Sequence, residues 1–244
     1  MLVVFKNIGE TPLECLERTR IDQKIGADVP MTYAGRLDPL ASGKLLILVG
    51  EECKEKEKYL GLDKEYEIKV LFGVKTDTGD ALGIIEKVDT VMPDKMPSWS
   101  KFVGKLTQVY PVYSSKTVSR RSDLRKIQLH TLARSGDLPD EMPTKEVEIY
   151  SVEEIGKGET RGRELAAQAV ENVSKVKGDF RQKDIIGGWE RFAQENGGAV
   201  FLIIKLRVAC SSGTYMRSLA ERIGKEAGTV AFTFSIERTK IGSF

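Results

Sequence analysis

The last third of the chain carries the pattern that most restricts the fold. Apolar residues alternate with other residues over nine positions, at Val200, Leu202, Ile204, Leu206 and Val208. After Cys210 the polar run Ser211 to Thr214 follows, and apolar residues then return at helical spacing, at Leu219, Ala220 and Ile223. Period two predicts a strand and the later spacing predicts a helix. Together they predict a strand, a tight loop and a helix start, which can aim side chains or amides at an anion.

The remaining strand patterns do not alternate regularly with helices. Further strands are predicted at 1–6, 45–49, 65–72, 81–88, 146–152 and 230–237, with 65–88 as a hairpin that has a longer loop. Helices are predicted from the Thr11 cap to Gly26, at about 123–135, and over 160–196 with breaks near Gly178 and Gly187. Strands that come in hairpins favour an α/β chain of the α+β type. We expect a mixed, largely antiparallel central sheet with flanking helices and loops, not a doubly wound sheet.

Composition excludes several classes of function. The 244 residues hold 38 Lys and Arg against 36 Asp and Glu, so net charge alone does not indicate a nucleic-acid partner. The three cysteines are scattered, and His130 is the only histidine, which leaves carboxylates, Tyr, Lys or Arg to carry any chemistry. No metal site is predicted, because the Asp77 to Asp80 loop lacks the continuation of a calcium loop. Apolar runs far shorter than the ~20 residues of a membrane span favour a cytoplasmic protein.

Two segments are ambiguous when each is taken alone. Asp38 precedes Pro39 between Gly35 and Gly43, and an Asp-Pro turn explains that spacing without any catalytic role. Arg217 follows the loop after Cys210 and lies in the predicted first helical turn. A cation is electrostatically unfavourable at that end of a helix, so an anionic partner would explain it.

Five segments in a fixed order together carry a resemblance that no single segment carries alone. They are Tyr33-Ala-Gly-Arg-Leu-Asp38-Pro-Leu-Ala-Ser-Gly43, then Lys64-Glu-Tyr66 leading into Thr76-Asp-Thr-Gly-Asp80-Ala-Leu-Gly83, then Gln108-Val-Tyr-Pro-Val-Tyr113-Ser-Ser-Lys116, Cys210-Ser-Ser-Gly-Thr-Tyr-Met-Arg217-Ser-Leu219 and Ile236-Glu-Arg238-Thr239. The chain resembles the TruB family of tRNA pseudouridine synthases over almost all of residues 1–244. Residues at about 152–198 fit none of the motifs and are interpreted as a helical insertion.

The resemblance implies a pseudouridine synthase fold and an enzyme without metal or cofactor. Such an enzyme flips uridine 55 out of the T-loop of tRNA, breaks its N1–C1′ bond and joins C5 to C1′. Asp38 matches the family's nucleophile and Arg217 the arginine that pairs with it, either through a planar, two-pronged hold or through its positive charge alone. Tyr66 matches the tyrosine that stacks on the flipped base and is a candidate base for proton removal, and Ile236 matches the apolar wall of the uracil pocket.

Other positions are assigned to substrate binding by the same resemblance. Tyr33 stands where bacterial members usually carry a His that fills the gap left by the flipped base, and Lys6 matches the lysine of the first strand. A basic cluster in a clamp-like segment at about 112–141 is expected to hold the T-arm, with Arg120, Arg121 and Arg125 as its arginines. The chain ends where many relatives continue into a C-terminal RNA-binding domain. We expect one catalytic domain over 1–244, a monomer, and weaker tRNA affinity.

Two alternatives stay open at this stage. The first alternative to the tRNA enzyme is a non-catalytic tRNA-binding or folding module that kept the pocket. The second is a pseudouridine synthase that acts on another RNA. The sequence also leaves open which carbon Asp38 attacks. The presence of Asp38, Tyr66 and Arg217 together favours the enzyme, because a pure binder does not need that ion pair.

Overall fold

An eight-stranded sheet forms the centre of the molecule. A computed structural model describes residues 1–93, 95–120 and 123–244, without the side chains of residues 119, 120 and 123–125. The strand order is β1 (Leu2–Lys6), β3 (Ser42–Val49), β12 (Ala231–Ile241), β4 (Lys64–Phe72), β11 (Val200–Cys210), β10 (Thr144–Arg161) and β7 (Gly104–Val109), while β2 (Met31–Ala34) pairs with β3. Neighbours are antiparallel except β3 and β12. The predicted fold class is confirmed.

Two short hairpins lie outside the central sheet. They are formed by β5 (Val74–Thr76) with β6 (Ile85–Val88), and by β8 (Thr117–Arg120) with β9 (Asp123–Gln128). The hairpin predicted over 65–88 is wrong, because β4 pairs with β11 and β12 instead. The chain leaves β4 at Gly73, which has a φ of +93°. A side chain there would place its Cβ only 2.4 Å from the Asp89 carbonyl oxygen, so only glycine fits this position.

Six α-helices occur in the described part of the chain. They are α1 (Pro12–Asp22), α2 (Lys56–Leu60), α3 (Leu129–Ser135), α4 (Gly162–Ser174), α5 (Gln182–Asn196) and α6 (Met216–Glu226). Thr11 and Glu14 form the expected capping box of α1. None of these helices is long and apolar enough to cross a bilayer.

Helix boundaries differ from the predictions at four places, the first being α1, which ends at Asp22 and not near Gly26. The helix predicted at 123–135 starts only at Leu129, because the residues before it pair as strand β9. Residues 152–161 of the predicted helical insertion continue strand β10 along β11. The break in the insertion falls between α4 and α5, and Gly187 lies inside α5, because tertiary packing of Trp189 and Phe192 outweighs the poor helix propensity of glycine.

The two largest clusters of the core lie on opposite faces of the sheet. The first holds Tyr66, Ile68, Val70 and Phe72 of β4, the even-numbered residues of β11, and the apolar side of α6. The second holds the odd-numbered Leu71 and Phe201, together with the buried sides of α4 and α5. Alternate residues of a strand point to opposite faces, so α6 and the α4–α5 pair pack on opposite sides. The arrangement leaves the loop before β3 beside the start of α6.

Candidate active site

Asp38 and Arg217 form an ion pair at the N-terminus of α6. The Nε atom of Arg217 lies 2.8 Å from Oδ2 of Asp38. The arginine side chain is 4% exposed and the aspartate side chain 37%, so a buried cation holds a carboxylate that still reaches solvent. Burial opposes the charged form of Arg217, but the carboxylates of Asp38 and Asp80 outweigh it and raise the pKa of this guanidinium. The unusual cation at a helix start thus has an anionic partner.

The other two guanidinium nitrogens of Arg217 bind main-chain carbonyls. Nη1 donates to the Thr78 oxygen at 2.7 Å, and Nη2 donates to the Tyr113 oxygen at 3.2 Å. Both Nη nitrogens therefore point to carbonyls, and Arg217 contacts Asp38 through its Nε atom, which differs from a two-pronged hold.

Asp80 lies behind the pair and was noted in the sequence only as part of a loop. Its Oδ2 atom lies 3.9 Å from Arg217 Nε, and its Oδ1 atom accepts hydrogen bonds from the Thr78 hydroxyl and the Leu82 amide. Burial raises the pKa of Asp80, and the guanidinium only partly offsets this effect. Asp80 is thus a second acidic group beside the Arg217 guanidinium, on the buried side of the ion pair.

Lys6 stabilises the loop that carries Asp38 through hydrogen bonds to main-chain carbonyls. The Lys6 ammonium donates to the carbonyl oxygens of Asn7, Pro39 and Ala41 at 2.9, 3.2 and 2.6 Å. Lys6 is fully buried, which corrects its assignment to substrate binding. A lysine is useful there because one ammonium can donate to three carbonyl oxygens at once and so tie the loop to the end of β1.

Tyr66, Ile236 and Arg238 form the sheet side of the site. In the pairing of β12 with β4, Arg238 lies opposite Tyr66 and Ile236 lies opposite Ile68. Tyr66 and Ile236 are each 9% exposed. The Arg238 guanidinium is buried and donates to carbonyl oxygens of Gly35 and Lys44, so it also fixes the approach to Asp38.

These groups line one cavity of about 760 Å³. Its lining includes Asp38, Arg217, Tyr66, Ile236 and Tyr33, so five of the residues assigned from the sequence share it. The Lys56 ammonium lies 5.4 Å from the centre of the Tyr33 ring. Further cations line the same cavity, namely Arg36, Lys56, Lys64, Lys116, Lys145 and Arg238. A cavity that combines aromatic faces with cations suits a base and the phosphates next to it.

The motif around Gln108 holds the start of α6. The Gln108 side chain accepts a hydrogen bond from the Tyr215 amide at 2.8 Å and donates to the Tyr215 carbonyl at 2.9 Å. The rings of Tyr215 and Tyr110 meet edge to face, 5.5 Å apart. Because Tyr215 precedes α6 by one residue, these contacts fix the direction in which the helix presents Arg217.

Two buried groups near the cavity, the Tyr66 phenol and the Cys210 thiol, keep their protons because of burial. Burial raises the pKa of the Tyr66 phenol, so it keeps its proton at neutral pH. Burial likewise raises the pKa of the Cys210 thiol to about 11, which leaves it a poor nucleophile. Within the described residues, His, Cys, Asp and Glu form no group of three that could hold a metal ion.

Three assigned residues are not placed by the structure. Arg121 lies outside the described residues, and the side chains of Arg120 and Arg125 are not described either. Conversely, the site includes Asp80, Arg238 and Lys64, to which the sequence reasoning gave no role. All three lie within the quoted motifs, and that position inside the motifs is the sequence signal that could have identified them.

Comparisons with known proteins agree with this arrangement. A family model described as TruB family pseudouridylate synthase (N terminal domain) matches residues 23–180. The tRNA pseudouridine synthase B of Psychrobacter arcticus is 31% identical over 87% of this chain and 44% of its own length. The enzyme of the same name from a Nostoc strain is 28% identical over 98% of this chain and 66% of its own. The chain thus spans about half to two thirds of these curated relatives.

A solved structure shares the fold. The Cbf5-Nop10-Gar1 complex contains a chain that superposes with a TM-score of 0.55 at 16% identity, over 99% of this chain and 49% of the other. At this identity the likeness concerns the fold alone. The family model covers well over half of the sequence and includes the Asp38 and Tyr66 motifs. The chain therefore belongs to the TruB family of pseudouridylate synthases.

Proposed function

We propose that the protein is a tRNA pseudouridine synthase that converts uridine 55 in the T-loop to pseudouridine, with Asp38 as the nucleophile. The observation that carries the proposal is the Asp38–Arg217 ion pair beside Tyr66 in one cavity. A carboxylate that is paired with a buried cation yet 37% exposed is held in place and accessible, as a nucleophile must be. The names of the relatives support the substrate class.

The reaction is an isomerisation, so no atom is gained or lost overall. The N1–C1′ bond breaks, the uracil turns, and C5 bonds to C1′. The proton on C5 then leaves, and N1 ends with a proton. Asp38 supplies the electron pair that forms a transient covalent bond with either the sugar or the ring, and that bond breaks again before release. Arg217 stabilises the carboxylate whenever it is free.

The walls of the cavity suit a base that has left its stack. Tyr66 offers a ring face on one side and Ile236 an apolar side chain on the neighbouring strand. Stacking on an aromatic ring is worth ~1–3 kcal/mol per base, which helps to offset the cost of flipping. Tyr33 lies at the edge of the same cavity, where it is suited to fill the gap that the uridine leaves.

The cations of the cavity support RNA as the substrate. Lys116 lies 4.9 Å from the centre of the Tyr110 ring and faces the cavity from the segment that we interpret as the T-arm clamp. Arg36 and Lys145 line the same space. We infer that residues 1–244 act as one catalytic unit in which this segment, including Arg120, Arg121 and Arg125, binds phosphates of the T-arm.

The experiment that tests the function uses an unmodified tRNA transcript. The protein is incubated with the transcript, and pseudouridine is mapped by carbodiimide labelling. We expect modification at uridine 55, and none in a transcript that carries cytidine at that position. Binding without any modification would contradict the enzyme and favour the tRNA-binding module, and modification only at other uridines would contradict the assigned position.

A further inference from the structure

The helical segment that lies outside the family motifs packs against the loop behind Arg217. Trp189 of α5 is fully buried, and its indole nitrogen donates to the Ala81 carbonyl oxygen at 3.1 Å. Ala81 and Leu82 share a core with the buried sides of α4 and α5. The loop of residues 76–83 therefore rests on this segment.

Arg181, at the start of α5, joins two parts of the site. Its guanidinium pairs with both carboxylate oxygens of Asp77, with Nη1–Oδ2 at 2.7 Å and Nη2–Oδ1 at 3.3 Å. The same group lies over the Tyr113 ring, with Cζ 4.4 Å from its centre. A planar guanidinium can pair with both oxygens of a carboxylate and stack on an aromatic ring, and a lysine ammonium can do neither. Arg181 also has a φ of +62°, a conformation that non-glycine residues keep only where their surroundings enforce it.

Both segments that Arg181 contacts supply the carbonyls that hold Arg217. The Thr78 oxygen is one residue from Asp77, and the Tyr113 oxygen belongs to the residue whose ring Arg181 covers. The Asp77 carboxylate is further fixed by the Ile84 amide, which donates to Oδ1 at 2.8 Å. A shift of Asp77 or Tyr113 would therefore move the oxygens that set the direction of the Arg217 guanidinium.

We propose that Arg181 is a positioning residue that holds these two segments together, so that Arg217 keeps its Nε against Asp38. The proposal rests on the function proposed above. It gives a role in the reaction to the segment that fits none of the family motifs. Arg181 acts through Arg217 and is not required to touch the RNA, because Asp77 already pairs with its charge and its side chain is only 22% exposed.

The competing explanation is that Arg181 simply attracts RNA, and a matched pair of variants separates the two. Arg181→Gln removes the fork and the charge, whereas Lys183→Gln removes one charge from an exposed side chain two residues later on the same helix. Single-turnover rates at saturating enzyme and the Kd for the tRNA transcript are measured for both. For Arg181→Gln we expect the saturated rate to fall about tenfold or more and the Kd to change less than about threefold, because misplacement affects the chemical step. For Lys183→Gln we expect both values within about twofold of the wild type.

Two further variants and one hydrogen-exchange measurement guard against a trivial loss of folding. Arg181→Gly suits the positive φ and should retain the helix start, so it should lose rate as Arg181→Gln does. Arg181→Lys should not rescue the rate. Hydrogen exchange of Arg181→Gln should speed up in peptides that cover 76–83 and 110–115 and stay unchanged in α4 and the second half of α5. This readout needs no turnover and no RNA.

The outcomes are distinct from those that test the function. If the wild type makes no pseudouridine, the proposed function fails, whatever the exchange data show. If the wild type is active and Arg181→Gln keeps its saturated rate, or loses only affinity, the positioning role is refuted. Unchanged exchange in both loops would also refute it.

Discussion

Replacing Arg217 by lysine tests whether the shape of the guanidinium matters or only its charge. The side chain is 4% exposed and contacts three partners, the Asp38 carboxylate and the carbonyls of Thr78 and Tyr113. A lysine ammonium has a single nitrogen on a differently shaped stem, so it cannot reach all three at once. At least one buried carbonyl oxygen therefore loses a charged donor.

The size of the effect follows from these contacts. A hydrogen bond to a charged group contributes about 1.5–3 kcal/mol, so losing one of them lowers the free energy of unfolding of Arg217→Lys by about 1.5–3 kcal/mol. For Arg217→Ala the buried Asp80 loses its cation as well, and breaking a buried pair costs about 3–5 kcal/mol. Both variants should lose at least about 100-fold in saturated rate, because the Asp38 carboxylate is no longer held in place.

Urea unfolding and single-turnover kinetics at saturating enzyme measure the two effects separately. Arg191→Lys is the control, because the same substitution is made at an exposed position of α5. We expect it to change stability by less than about 0.5 kcal/mol and to keep the wild-type rate. A rate for Arg217→Lys within about threefold of the wild type would refute a role for the guanidinium shape.

Two further predictions concern Tyr66 and Lys6. Tyr66→Phe should keep the Kd for tRNA within about threefold but lower the saturated rate by about 100-fold or more, because its hydroxyl takes part in proton removal. Tyr66→Ala should also weaken tRNA binding, because the stacking ring is lost. An unchanged rate for Tyr66→Phe would leave only the stacking role. Burial lowers the pKa of Lys6 from 10.5 to about 8, so between these pH values the unfolded chain binds more protons at this position than the folded chain. The stability of the wild type relative to Lys6→Met, measured by urea unfolding, should therefore rise by up to about 3 kcal/mol from pH 8 to 10.5, and a constant difference would contradict this pKa.

Local patterns were enough to predict the elements whose residues interact mainly with near neighbours. The capping box at Thr11 and Glu14 and the alternation in β11 are of this kind, and both elements occur where expected. The motifs also brought together Asp38, Tyr66, Arg217, Tyr33 and Ile236, which share one cavity. Each of these positions was assigned by resemblance, because the spacing of the residues alone favoured a turn at Asp38.

Features that depend on tertiary contacts were not predictable from local patterns. Leu13 and Ile21 fit the helical period of α1, yet they are 57% and 75% exposed because the helix buries a narrower side at Cys15, Leu16 and Thr19. The carbonyl contacts of Lys6 and Arg217 depend on loops far apart in sequence. The same holds for the Arg181–Asp77 pair, which joins residues 104 positions apart.

The most direct test of the account is the turnover of Asp38→Asn. The amide keeps the shape of the side chain and should leave folding and tRNA binding nearly unchanged, but it is not a competent nucleophile. Pseudouridine at position 55 is measured by carbodiimide mapping after long incubation with excess enzyme, next to the wild type and with the Kd of both proteins. We predict binding within about threefold of the wild type and no pseudouridine from Asp38→Asn. Pseudouridine formed by this variant at more than a trace rate would contradict the central claim.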